Sequence, residues 1–256
     1  MIRTQQIIRQ ADRDRVDPKT VERDYVLAHC LASIARLPEA EYMVFKGGTA
    51  LRMCHFDEYR YSADLDFSLL GISRSNALTA IEGAVDGLKD ALDFPSLSVE
   101  TTGHTRIFYE GPLGAKRRWI KLDLDETELI LSSEVRPMLS RYADIPQGRS
   151  ILTYSLEEIG AEKLRCVIQR LQCRDFFDLH FLFEEREVSL DEVWPMFEEK
   201  TRHKALDPAT FFARFDARIL EYEARWESEM SEHLPGELPH FEALLRQLRR
   251  RLRPYR

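Results

Sequence analysis

The sequence predicts an α+β protein in which a mixed α/β half, residues 1–150, precedes a helical half, residues 151–256. Two observations lead to this prediction. Short apolar runs and runs of alternating polarity, both typical of strands, lie between helical patterns up to about residue 150. Beyond that point the apolar residues recur at three- and four-residue steps, as they do in helices. A chain of 256 residues is long enough for one large domain or two small ones.

The first elements lead into a glycine turn. Residues 19–36 have the apolar spacing of an amphipathic helix, with a proline near each end. The apolar run at residues 42–45 predicts a buried strand that enters a tight turn at Gly47-Gly48. Thr49 stands where it would cap a helix over residues 49–54.

The next strand carries acids on one side. In residues 63–68 the apolar Leu65 and Phe67 alternate with acids, so one face of the predicted strand is apolar and the other acidic. The remaining predicted elements are a helix at 74–92, strands at 96–102, 106–109 and 118–125, and helices at 156–171, 176–183, 207–230 and 241–252.

The composition excludes several classes of protein. Its apolar and charged fractions are those of a globular chain, and it shows neither a signal peptide nor an apolar stretch of membrane-spanning length. The four cysteines are scattered, which is typical of free thiols in a cytoplasmic protein. A net charge of -7 argues against coating nucleic acid through bulk charge. The six arginines of the last eleven residues favour either a basic patch that meets phosphates or a solvated helix end.

Two carboxylates and a glycine pair suggest chemistry on phosphates. Alternation places Asp64 and Asp66 on one face of their strand, about 7 Å apart. Mg²⁺ would relieve their repulsion, although a solvated edge strand would tolerate it too. Gly47-Gly48 lets backbone N–H groups approach a phosphate closely. A third carboxylate, Asp123 or Asp125 on a later strand, would complete a two-metal site.

Taken in order, these residues resemble the motif pattern of the polymerase-β-like nucleotidyltransferase superfamily. Four segments are more closely similar to the AbiEii family, the toxins of type IV toxin–antitoxin systems: FKGGTAL (45–51), RYSADLDF (60–67), EIGAEKLR (158–165) and RDFFDL (174–179). VERDY (21–25) fits the preceding helix, and the resemblance covers residues from about 18 to 185. It implies a polymerase-β-like nucleotidyltransferase domain with a mixed sheet flanked by helices, followed by a helical C-terminal domain.

The resemblance also assigns roles to individual residues. It implies Asp64, Asp66 and Asp123 as metal ligands, with the first two catalytic. Lys163, also implied to be catalytic, takes the family's phosphate-binding lysine position, where the sequence alone would suggest a solvated helix residue. Asp175 is favoured over Asp178 as the catalytic late aspartate, either orienting Lys163 or acting as a base. The implied nucleotide-binding set is Gly47, Gly48, Thr49, Arg60, Ser62 and Lys163, with Lys46 as a further contact and Thr49 alternatively only a cap.

The function predicted in this way is a magnesium- or manganese-dependent toxin. It would move a nucleoside monophosphate from a nucleoside triphosphate (NTP) to the 3′ end of tRNA and so block translation. An antitoxin encoded nearby, without stable binding to the toxin, and no membrane partner are expected. Two alternatives share the same residues: nucleotidylation of a protein or small molecule, and an NTP-binding regulator that performs no transfer.

Overall fold

A computed structural model describes residues 2–92, 94, 96–114, 116–139, 141–146 and 148–256. The chain forms two compact units. Unit 1 comprises Met1–Glu128, Ser133–Thr153 and His233–Gly236, and unit 2 comprises Leu129–Ser132, Tyr154–Glu232 and Glu237–Arg256. No helix in these described ranges is both long and apolar enough to cross a membrane. The four cysteines are buried and unbridged.

Unit 1 is built on a seven-stranded mixed sheet with the strand order β3-β4-β5-β2-β1-β7-β6. Strand β2 runs parallel to β5 and antiparallel to β1, and β4 runs antiparallel to both β3 and β5. The elements are α1 (Thr4–Asp14), α2 (Pro18–Ile34), β1 (Met43–Lys46), α3 (Gly47–Ala50), β2 (Asp64–Leu69), α4 (Arg74–Leu92), β3 (Ser96–Glu100), β4 (Arg106–Glu110), β5 (Arg118–Asp125), β6 (Ser133–Pro137) and β7 (Ser150–Tyr154).

The two faces of this sheet differ because its strands alternate in polarity. Leu65 and Phe67 of β2 and Leu122 of β5 are at most 2% exposed and form the inner face. Helices α2 and α4 pack on this side: α4 contacts β3 and β5, and α2 contacts β2. The predicted elements of this half were confirmed to within a few residues, but α1, β6 and β7 were not predicted.

A buried ion pair fixes the chain that follows the glycine turn. Helix α3 continues into a π-helix, Leu51–His55, whose Arg52 places Nε 2.5 Å from Asp24 Oδ1 of α2. Tyr142 donates to the other Asp24 oxygen at 2.8 Å, and the Arg52 guanidinium lies 3.9 Å from the centre of the Tyr61 ring. The aspartate of the VERDY segment therefore holds the glycine turn in place through Arg52.

Unit 2 is helical. The predicted single helix over 207–230 was wrong, because the chain breaks into a 3-10 turn and two helices separated at Arg218. At the break the Arg218 guanidinium donates to the backbone carbonyls of Val167 and Arg170. Helix α7 was not predicted. The helices are α5 (Leu156–Gln169), α6 (Cys173–His180) continuing as a π-helix to Glu185, α7 (Leu190–His203), α8 (Phe211–Ala217), α9 (Ile219–Met230) and α10 (Phe241–Leu252).

A fully buried ion pair joins α5 and α7. Lys200 Nζ lies 2.5 Å from Glu158 Oε1 and donates to the carbonyl of Leu129. The other Glu158 oxygen accepts from the backbone N–H groups of Leu131 and Ser132. Burial raises the pKa of Glu158, although Lys200 and these backbone bonds act to lower it. The glutamate of the EIGAEKLR segment is thus structural and holds residues 129–132 against α5.

We expect the Lys200→Met variant to be destabilised by about 3–5 kcal/mol, because it leaves Glu158 as a buried carboxylate without its cation. Urea unfolding would measure the loss. Arg202→Met on the same helix is the matched control: its pair with Glu198 is largely exposed and should contribute less than about 1 kcal/mol. Equal stability of the two variants would contradict the structural role of Lys200.

Candidate active site

The predicted carboxylates meet on the outer face of the sheet, opposite α2 and α4. In the parallel pairing of β2 with β5, Asp66 lies directly beside Asp123, and Asp64 lies beside Lys121. Asp125 pairs with Ser68 instead, and its Oδ1 accepts hydrogen bonds from the backbone and hydroxyl of Thr127. Of the two candidates on β5, the geometry favours Asp123 as the third carboxylate.

Burial and a neighbouring carboxylate make Asp66 hard to ionise. Burial raises its pKa first, and the neighbouring Asp64 raises it further. Lys46 and Lys121 act in the opposite direction, and the net result is a pKa of about 6. A carboxylate opposed by burial and by a second carboxylate is an arrangement that a bound cation would stabilise.

The glycine turn lies against these residues so closely that side chains would not fit. Gly47 has φ of +80°, and a Cβ there would lie 3.0 Å from Asp66 Oδ2. A Cβ on Gly48 would lie 2.5 Å from Arg60 Nη2 and 3.3 Å from Ser62 Oγ. The structure therefore brings both predicted glycines together with Asp66, Arg60 and Ser62.

Thr49 does not cap the following helix. That helix begins at Gly47 with Lys46 in the N-cap position, so Thr49 lies inside it. Its hydroxyl donates instead to the Asp64 backbone carbonyl at 2.5 Å, which ties the turn to the start of β2. The capping interpretation was therefore wrong: the extended strand β1 ends two residues earlier than a Thr49 cap requires.

Lys46 contacts Glu128, which was not predicted as part of the site. It pairs with Asp66 across β1 and β2, and its Nζ lies 3.8 Å from Glu128 Oε2. The Glu128 side chain is only 3% exposed, so this is a buried carboxylate next to the site. Its position three residues after β5 has no local sequence signal, because nothing in the pattern of residues 126–130 distinguishes it from a loop acid.

Replacing Gly48 tests this packing. We expect Gly48→Ala to displace the buried Arg60 side chain, to lose about 1–3 kcal/mol of stability and to weaken NTP binding at least tenfold. Urea unfolding and equilibrium dialysis with NTP would measure both. In the control, Gly83→Ala on α4, the added Cβ meets nothing within 4 Å and should stabilise the helix. Unchanged NTP affinity in Gly48→Ala would contradict a nucleotide-binding turn.

Lys163 lies in unit 2 between two buried aspartates. Its Nζ is 2.7 Å from Asp175 Oδ1 and 2.6 Å from Asp178 Oδ2. Arg170 also donates to Asp175. Burial acts to raise the pKa of Asp175, but the charges of Lys163 and Arg170 outweigh it and hold that pKa below its usual value. Both late aspartates therefore brace Lys163, and the lowered pKa makes Asp175 a weak base.

The arginine-rich C-terminus is partly neutralised within unit 2. Arg250 and Arg251 form ion pairs with Glu184, and Arg249 and Arg256 form ion pairs with Asp216. A cavity of about 420 Å³ lies beside these pairs. Its lining includes Phe212, Phe215 and five of the six terminal arginines. The C-terminus is thus a folded basic surface rather than a frayed helix end.

The donor set of the carboxylates suits Mg²⁺ or Mn²⁺. Both ions take carboxylate oxygens, and Mg²⁺ is commonly held by one or two carboxylates together with substrate phosphates. Among the described residues no three histidine, cysteine, aspartate or glutamate side chains converge on one point, and Asp123 contacts Lys121 at 3.1 Å. The carboxylates of Asp64, Asp66 and Asp123 have the chemistry of Mg²⁺ ligands, but in the described residues they do not form a closed set of three around one point.

The chain is similar to known proteins in sequence and in fold. The family model described as the nucleotidyl transferase AbiEii toxin of type IV toxin–antitoxin systems matches residues 29–247. The search of curated proteins finds no match. Among solved structures, the Mycobacterium tuberculosis nucleotidyltransferase toxin MenT4 has a TM-score of 0.77 at 21% identity, covering 98% of this chain and 88% of that one. JHP933 from Helicobacter pylori has a TM-score of 0.57 at 18% identity, covering 91% and 90%. These likenesses confirm the predicted α+β fold.

Proposed function

This chain belongs to the AbiEii family of nucleotidyl transferase toxins of type IV toxin–antitoxin systems, and we propose that it moves a nucleoside monophosphate from an NTP to the 3′ end of tRNA. The observation that carries the reaction type is the alignment of Asp66 with Asp123 beside the Gly47-Gly48 turn. Carboxylates next to a turn whose backbone can approach phosphates support the proposal, because Mg²⁺ takes carboxylate and phosphate oxygens together.

In the proposed reaction the acceptor hydroxyl oxygen attacks the α-phosphorus of the NTP. The bond from that phosphorus to the oxygen bridging to the β-phosphate breaks, and pyrophosphate leaves. The hydroxyl proton passes to Asp123, whose side chain is 49% exposed and open to an incoming acceptor. Ser62 and Arg60, which lie against Gly48, orient the triphosphate.

Asp64, Asp66 and Asp123 would hold Mg²⁺ or Mn²⁺ for this reaction. When bound, the ion lowers the pKa of the attacking hydroxyl and neutralises charge on the leaving pyrophosphate. Lys163 is proposed to supply a further cation for the phosphates, and Asp175 to keep its ammonium group in position. The raised pKa of Asp66 supports the metal assignment, since burial and the Asp64 charge both disfavour its ionised form without a cation.

The proposed acceptor and cellular setting follow from the family. Nucleotides added to the 3′ end of tRNA would block aminoacylation and stop translation, which accounts for toxicity. The toxin would act in the cytoplasm and be opposed by an antitoxin encoded nearby that need not bind it. Expression of the toxin alone is expected to slow growth, and expression of the Asp66→Asn variant is not.

Labelled transfer tests the proposal. The protein is incubated with each α-labelled NTP, Mg²⁺ and total cellular RNA, protein and metabolites. We expect label in RNA of tRNA size, release of pyrophosphate, and no labelling of RNA whose 3′ diol has been oxidised with periodate. Label in protein or in a small molecule would replace tRNA as the acceptor. Tight NTP binding without pyrophosphate release would indicate a regulator.

A further inference from the structure

Aromatic and basic side chains continue the outer face of the sheet away from the carboxylates. On β5, Lys121 and Trp119 lie two and four residues before Asp123 and therefore share its face. In the antiparallel pairing of β4 with β5, Arg106 lies beside Lys121 and Phe108 lies beside Trp119. The carboxylates and these side chains thus occupy one continuous surface within unit 1.

The aromatic side chains of this surface are stacked with arginines. The Trp119 side chain is 48% exposed, and the Arg106 guanidinium lies 4.5 Å from the centre of its ring. Arg117 lies 3.9 Å from the ring centre of Phe108. We call Arg106, Phe108, Arg117 and Trp119 the aromatic platform.

Trp119 lies on a paired strand but outside the core. At Trp119, strand β5 pairs with Phe108 of β4, and its pairing with β2 begins two residues later at Lys121, so the exposed indole is held on the sheet through β4. Arg106 Nε has no hydrogen-bond partner in the described part of the chain. An exposed indole with a guanidinium over its ring offers a stacking surface beside a positive charge that can attract phosphate.

The sheet order separates the platform from the predicted triphosphate site. The glycine turn follows β1, on one side of β2, whereas the platform lies on β5 and β4, on the other side. The carboxylates stand between the two. Four residues of strand place Trp119 roughly 13 Å from Asp123, farther than one stacked nucleotide extends.

We propose that the aromatic platform binds the single-stranded 3′ end of the acceptor nucleic acid, with bases stacked on Trp119 and Phe108 and phosphates met by Arg106 and Arg117. This inference rests on the proposed function and adds the acceptor-binding surface to it. Exposed base faces stack on aromatic rings, and arginines pair with phosphates, whereas the bases of a blunt duplex are already stacked on each other. The bound nucleic-acid strand runs from the platform toward Asp123, where its terminal hydroxyl reacts.

Tryptophan fluorescence tests binding without any transfer. A single-stranded RNA of about ten nucleotides is titrated into the protein without NTP or metal. We expect quenching in the wild type and in Trp194→Phe, no quenching in Trp119→Phe, and none with a blunt duplex of the same sequence. Quenching that persists in Trp119→Phe, or equal quenching by the duplex, would overturn the proposal.

Kinetics then separate acceptor binding from NTP binding. Trp119→Ala should raise the KM for the RNA acceptor about tenfold and leave the KM for NTP unchanged, and Trp119→Phe should restore most of the loss because it keeps a ring. Val135→Ala, an exposed change on β6 at the opposite edge of the sheet, is the matched control. Suppose that the wild type transfers label to RNA, but Trp119→Ala shows an unchanged KM for the acceptor or a raised KM for NTP. This result would overturn the platform as the acceptor site. If the wild type labels no RNA at all, the proposed function fails, and the fluorescence titration still decides whether the platform binds single strands.

Discussion

Transfer by the Asp66→Asn variant should fall by about three orders of magnitude, roughly 4 kcal/mol of transition-state stabilisation, because an amide is a poor ligand for a hard divalent cation. The same change should raise the melting temperature of the metal-free protein. In the wild type the folded state holds Asp66 ionised at pH 7, although the pKa of this carboxyl is raised to about 6. Asparagine keeps the shape of the side chain and removes that charge.

The pH dependence of this rise in melting temperature identifies its cause. A carboxyl with a raised pKa in the folded state costs stability when it is ionised, and the cost disappears once both states are protonated. The difference in melting temperature between Asp66→Asn and the wild type should therefore be largest above pH 6 and shrink toward pH 4. Differential scanning calorimetry in chelator across this range would measure it. A constant difference would mean that packing rather than charge is responsible.

Magnesium and a second variant provide the controls. Mg²⁺ with a non-hydrolysable NTP should raise the melting temperature of the wild type by binding the folded state and should have little effect on Asp66→Asn. Asp125→Asn removes a charge from the same face of β5, but that carboxylate accepts from Thr127 and is not beside Asp66. It should transfer normally. Normal transfer by Asp66→Asn would contradict the assignment of Asp66 as a metal ligand.

The part of the site that the sequence predicted is the part that local periodicity determines. Alternation within β2 places Asp64 and Asp66 on one face whatever the strand pairs with. The neighbour of Asp66 on β5 could not be predicted in this way, because Asp123 and Asp125 share a face and only the pairing register distinguishes them. That register depends on the whole sheet and leaves no local signal.

Other residues could not be predicted because tertiary contacts give them their roles. Glu128 is next to Lys46 only because the chain after β5 folds back toward β1. The helix break at Arg218 depends on carbonyls about fifty residues earlier in the chain, which its guanidinium reaches. Lys163 has the sequence context of a solvated helix residue, yet its side chain is 8% exposed between two aspartates.

We expect Lys163→Met to cost about 3–5 kcal/mol of stability in unit 2, because Asp175 and Asp178 are at most 1% exposed and lose the cation they share. In this variant Asp175 keeps its ion pair with Arg170. Transfer should fall together with stability. Urea unfolding and the labelled transfer assay on the same preparation would record both losses.

Lys163→Arg separates bracing from a direct role in the reaction. A guanidinium keeps the positive charge between Asp175 and Asp178, so most of the lost stability should return. We expect transfer to remain about a hundredfold below wild type, since a compact ammonium positioned for phosphate is not replaced by a planar fork. If transfer recovers in proportion to stability, Lys163 only holds α5 against α6. If stability returns without transfer, the ammonium group itself acts on the nucleotide, and the two aspartates serve to hold it in position.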